Sequence, residues 1–182
     1  MRKTVPALLA GAVLVAGCGG ESKADPDRAR LDAANGALTE RPHDARAMEA
    51  VISAAYDGAS HRQDTATGTY TAAARPYLDR AAAVWPGYVQ VTRQRPAIPV
   101  ASMMVQVYGN GLNRPRDAAA AARQVAETRP SAVAYLQLAT WAVRAGDRRQ
   151  ARVATQKALE LADPSERGAV RERIRRLLPQ AG

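Results

Sequence analysis

Runs of alanine at 72–74, 81–83 and 118–122 recur along a chain of 182 residues that contains no phenylalanine and is only 4% aromatic. A sandwich or barrel core is built from large β-branched and aromatic side chains, and this chain lacks enough of them. Alanine has the best helix propensity of any residue, and its small side chain lets helices approach closely, ridge into groove. The expected fold class is therefore all-α. With one cysteine in the whole chain, Cys18, no intramolecular disulfide can support any other arrangement.

Prolines, glycines and capping residues divide the chain into helices. Leu31, Ala34 and Leu38 mark the face of a first helix that stops before Arg41-Pro42. Asp44 opens a second, with Met48, Val51, Ile52 and Ala55 on its buried side, ending near Asp57-Gly58. Gly58 to Gly68 has no apolar period and reads as a loop, with Asp57 and Asp64 as turn residues. A third helix follows from near Tyr70 through Leu78, Ala81 and Trp85, and Pro86-Gly87 is expected to end or kink it. Tyr88 to Val91 alternates like a strand but has nothing nearby to pair with, so it reads as more helix or as a connector.

The C-terminal half divides more sharply. Pro99 to Tyr108 is expected to be a helix ended by Gly109-Asn110-Gly111, and Pro115 to Thr128 another. Ser131 to Ala145 comes next, with Gly146 suited to a left-handed cap. Asp147 with Gln150 gives a capping-box pattern for a helix reaching Ala162. Asp163-Pro164-Ser165-Glu166 then opens a final helix over 164–178, with Val170, Ile174, Leu177 and Leu178 on one face and arginines elsewhere.

Tyr135, Leu138, Ala139, Ala142, Ala151, Thr155 and Ala158 fall at the spacings of the tetratricopeptide (TPR) repeat, a helix pair of about 34 residues. Segment 131–164 resembles that family best, departing from it at Ala142 and Thr155, where larger residues are usual. The steps from Ala37 to Pro42 and from Ala81 to Pro86 echo it more weakly. The resemblance implies a short superhelical stack of TPR-like antiparallel helix pairs over 28–182, closed by a C-terminal capping helix. It implies that Ala139, Ala151 and Ala158 lie where helices come closest. It also implies a concave peptide-binding face, here carrying Met103, Gln106 and Asn110 on one helix and Leu136, Thr140 and Arg144 on another. The residue pattern with which some members clamp peptide C-termini is absent.

The N-terminus has its own signature. Arg2 and Lys3 precede an apolar run from Val5 to Gly17, shorter than the roughly 18 residues a membrane span needs. Val15-Ala16-Gly17-Cys18 resembles the lipobox of bacterial lipoproteins. That resemblance implies removal of a signal peptide, 1–17, acylation of Cys18, and a lipid anchor on the extracytoplasmic face of a bacterial membrane. Residues 18–27 then read as the lipidated cysteine and a flexible tether.

The net charge of +9 comes almost wholly from arginine, spread along the chain with acids between. No aromatic-interleaved basic stripe or nucleic-acid motif accompanies it, so no nucleic-acid partner is expected. His43 and His61 are isolated, no serine sits in a nucleophile elbow, and Cys18 is committed to lipid, so neither an enzyme nor a metal or cofactor is expected. Two functional classes follow. One is a membrane-tethered module that binds an envelope protein or peptide, as scaffold or assembly factor. The other is a lipoprotein that holds a solute or lipid between its helices.

Overall fold

The structure, a computed structural model, describes residues 25–178. Eight α-helices follow one another: α1 Pro26–Glu40, α2 Ala45–Ser60, α3 Arg75–Val91, α4 Ile98–Gln106, α5 Pro115–Thr128, α6 Ala132–Arg144, α7 Arg148–Leu161 and α8 Arg167–Leu177. A 3₁₀ turn, Ala72–Ala74, leads into α3, and a π-helical turn, Val107–Gly111, extends α4. Among the described residues there is no strand beyond an isolated bridge between Gln63 and Tyr70.

The helices form antiparallel pairs in a stack, as the alanine content leads one to expect. In sequence order α1 packs on α2, α2 on α3, α4 on α5, α5 on α6 and α6 on α7. α2 also reaches α4, and the π turn is wedged among α3, α4 and α5. α8 lies across α6 and α7 and closes the stack. One large core runs from Leu31 to Ala154, and a smaller one under α8 joins Ala132, Leu136, Ala158, Ala162 and Val170.

Close approach is achieved by glycine as well as alanine. A Cβ at Gly58 would collide with the Tyr77 ring, and one at Gly109 with the ring of Trp141. The Tyr77 and Trp141 rings thus rest directly on the backbone of α2 and of the π turn.

Several boundaries differ from expectation for identifiable reasons. Pro86 does not end α3, which continues through Tyr88 to Val91, the helical alternative for that stretch. Proline removes the N–H that would bond to the carbonyl four residues back, Ala82. The Tyr108 hydroxyl donates to that carbonyl instead, at 3.3 Å. Gly109-Asn110-Gly111 does not stop α4 directly but forms the π turn, which closes with Leu112 N–H donating to the Val107 carbonyl at 2.8 Å. Gly146 has φ of +77° and ends α6 as expected. Asp147 caps α7 by accepting from Gln150 N–H at 2.8 Å, while its own N–H goes to the Ala142 carbonyl rather than to Gln150. α8 begins at Arg167, after a turn in which Glu166 and Arg167 both donate to the Asp163 carbonyl.

Candidate functional site

The residues expected on a concave face lie in two stripes. Met103, Gln106 and Asn110 follow one another along α4 and the π turn, with the Asn110 amide donating to Gln106 Oε1 at 2.6 Å. Met103 and Gln106 are half-buried and Asn110 is exposed. On α6, Thr140 is half-buried and returns its hydroxyl to the Leu136 carbonyl at 2.8 Å, and Arg144 is exposed with its guanidinium 4.8 Å from the Trp141 ring centroid. Trp141 also covers Gly109, next to Asn110, and so links α6 to the π turn. Leu136 is different. It is buried in the small core under α8 and offers nothing to a ligand. Cys18 lies outside the described residues.

A second surface was not legible as a unit in the sequence. It is a trough running along α5, with α7 on one side, floored by α6. Successive residues on a helix are about 100° apart, so Tyr135 and Leu138 lie on the side of α6 opposite Thr140 and Arg144. The central depression, of about 340 Å³, is lined by Arg123, Glu127, Tyr135, Leu138, Arg149 and Val153, among others. Toward the α6–α7 turn it shares Arg123, Asp147 and Gln150 with a second depression of about 410 Å³ that adds Arg116. At the other end Glu127 leads into a third, of about 400 Å³, with Gln94, Arg95 and Thr128. Val153 is 55% exposed, unusual for a large aliphatic side chain.

The electrostatics of the trough are uneven. Among the described residues, no carboxylate lies within ion-pair distance of Arg116, Arg123 or Arg149. The Gln150 amide faces Arg123, and oriented with its oxygen toward the guanidinium it accepts from Nε at 3.0 Å. Lys157 is already engaged by Glu160 at 3.0 Å, which raises the lysine pKa and lowers that of the glutamate. Asp147 is occupied as the α7 cap.

The densest cluster of titratable side chains lies at the opposite end of the stack. Arg62 Nη1 donates to Asp27 Oδ2 at 2.8 Å and to the Gly58 carbonyl at 2.6 Å, and Nη2 pairs with Asp25. Tyr77 donates to Asp25 Oδ2 at 3.0 Å, and the Arg62 guanidinium stacks 4.3 Å over the Tyr77 ring. His61 Nδ1 sits 3.0 Å from Asp27 Oδ1. His61, read from the sequence as isolated, stays largely exposed but faces a carboxylate brought from α1. Arg62 holds both carboxyls below the usual carboxylate range, with Tyr77 assisting at Asp25 and His61 at Asp27. A carboxylate so satisfied is a weak base, and the cluster works as a clasp fastening α1 to α2 and α3. Residues 25–27, expected at the end of the tether, belong to that clasp and to the first turn of α1.

Among the described residues no helix is long and apolar enough to cross a membrane. Comparison with protein-family models, with curated proteins and with solved structures finds no match.

Proposed function

We propose that the protein is a membrane-anchored, extracytoplasmic protein–protein interaction module of TPR-like helical repeats, a scaffold or assembly factor of the bacterial cell envelope. It acts by binding an envelope protein or peptide rather than by catalysis. The observation that carries this reading is the stack of antiparallel helix pairs, with Ala139, Ala151 and Ala158 all fully buried where the repeat pattern needs small residues. A stack of this kind offers long continuous surfaces in place of one enclosed site. The depressions in this one are open and lined by charged side chains, which suits a polypeptide better than an enclosed solute or lipid. The lipobox-like segment supports anchoring through acyl chains on Cys18.

Fractionation of cells making the full chain or Cys18→Ala tests the anchor. The parent should sediment with membranes, and the variant should be soluble or unprocessed. A variant still processed and membrane-bound would remove the lipoprotein reading. Cross-linking in intact envelopes, followed by purification in neutral detergent, tests the module. One protein should be recovered in near-equal amount, and recovery of the chain alone would count against a scaffold.

A further inference from the structure

We propose that the trough between α5 and α7 is the docking site for an extended acidic polypeptide segment carrying an apolar side chain. The inference rests on the interaction-module reading but centres the contact on the Tyr135 and Leu138 side of α6, away from Thr140, with only Arg116 also bordering Arg144. Three observations carry it. The first is charge: Arg116, Arg123 and Arg149 line the trough with no acidic partner in ion-pair distance. Guanidinium groups are suited to paired hydrogen bonds with carboxylates, and the Gln150 amide beside Arg123 can orient its guanidinium. The second is the floor, where the half-buried Tyr135, backed by the core residue Leu138, and the exposed Val153 provide an apolar seat between the charges. The third is shape. From Arg116 to Thr128 helix α5 rises about 18 Å at 1.5 Å per residue, which accommodates roughly five residues of extended chain.

An anionic membrane is the competing surface for the same arginines. Headgroups present a broad uniform negative surface, whereas the trough is concave and also contains the Glu127 and Asp147 carboxylates. Those two acids repel a continuous anionic sheet but tolerate a segment whose acids are spaced by other residues. The polypeptide is therefore the better fit.

The test uses the full chain in neutral detergent and a labelled hexapeptide alternating glutamate and leucine. Fluorescence anisotropy should show saturable binding that weakens with salt. Arg123→Glu with Arg149→Glu should weaken it about tenfold or more, the scale of losing charge-assisted contacts. The same charge change on the exposed face of α8, Arg171→Glu with Arg173→Glu, should leave it within about twofold. Val153→Asp, at an exposed position, provides a second variant should the double reversal disturb the fold, and it too should weaken binding. Lack of saturable binding, or equal loss from the α8 reversal, would overturn the proposal. So would equal affinity for a lysine–leucine hexapeptide. Phosphatidylglycerol vesicles that bind through Arg123 and Arg149 while the acidic peptide does not would assign the surface to the membrane. If an envelope partner co-purifies equally with the trough-reversed chain, the docking site falls and the interaction-module reading stands.

Discussion

Ala151 and Ala139 have no exposed surface, and each belongs to one of the two most intimately packed helices, α6 and α7. A phenylalanine at 151 has nowhere to go except by separating the pair. Overpacking of this kind costs about 1–3 kcal/mol. Ala151→Phe should therefore lower the melting temperature clearly, whereas Arg152→Phe at the neighbouring exposed position should change it little. Similar small shifts would mean that residue 151 is not at the closest approach. The acid side of stability has an equally local origin. Asp27 is nearly buried, and Arg62, then His61, lower its carboxyl pKa from the ordinary 3.8. The unfolded chain takes up the proton first as pH falls. The stabilisation is thus complete above 3.8 and is lost as pH falls through the lower folded-state value. Melting curves from neutral pH to pH about 2 should fall more steeply below pH about 4 for the parent chain than for Asp27→Asn. Parallel curves would show that the clasp contributes no proton linkage.

Tyr108 and Pro86 illustrate how one element repairs another. The Tyr108 side chain is buried, and loss of solvent pushes its pKa up to about 12, so the neutral hydroxyl persists as a donor to the Ala82 carbonyl. Tyr108→Phe should cost about 1–3 kcal/mol, the usual penalty for an orphaned buried polar group. In a Pro86→Ala background the restored N–H can bond to Ala82, so the same substitution should cost less. A double-mutant cycle in urea measures the difference, and additivity would show that the hydroxyl does not replace the missing bond. Helix boundaries of the local kind are legible in the sequence: the stops at Pro42, Pro130 and the left-handed Gly146, and the starts at Pro115 and the Asp147 cap. The sequence leaves the outcome at Pro86 open and takes Gly109 for a simple stop, because both depend on side chains, Tyr108 and Trp141, that arrive from elsewhere in the fold. Leu136 was placed on an open face for a similar reason, since its burial depends on α8 crossing α6. Periodicity reports which side of a helix is apolar, not which later helix covers it.

The whole stack is closed at its two ends by different chemistry. At the C-terminal end α8 covers an apolar face with Val170 and Ile174 and turns arginines outward, as a terminal repeat requires. At the N-terminal end closure is polar and spans long sequence distances: Asp25 and Asp27 reach Arg62 and Tyr77. No sequence period links those residues, which is why the folded unit was expected to begin at residue 28. Asp25, the first described residue, already belongs to it. A chain beginning at Asp25 retains the α1 cap, in which Asp25 accepts from Asp27 N–H at 3.1 Å and Arg28 N–H at 3.4 Å, together with the clasp. A chain beginning at Arg28 loses the cap and also leaves Arg62 without its two carboxylates. Both truncated forms should give helical circular dichroism spectra, because α2 to α8 keep their own packing. The shorter form should melt lower, and α1 amides should exchange faster with deuterium while those of α6 and α7 are unchanged. Equal melting and equal α1 protection in the two chains would mean that the three residues are tether after all, and that apolar contacts such as Leu31 suffice to hold α1.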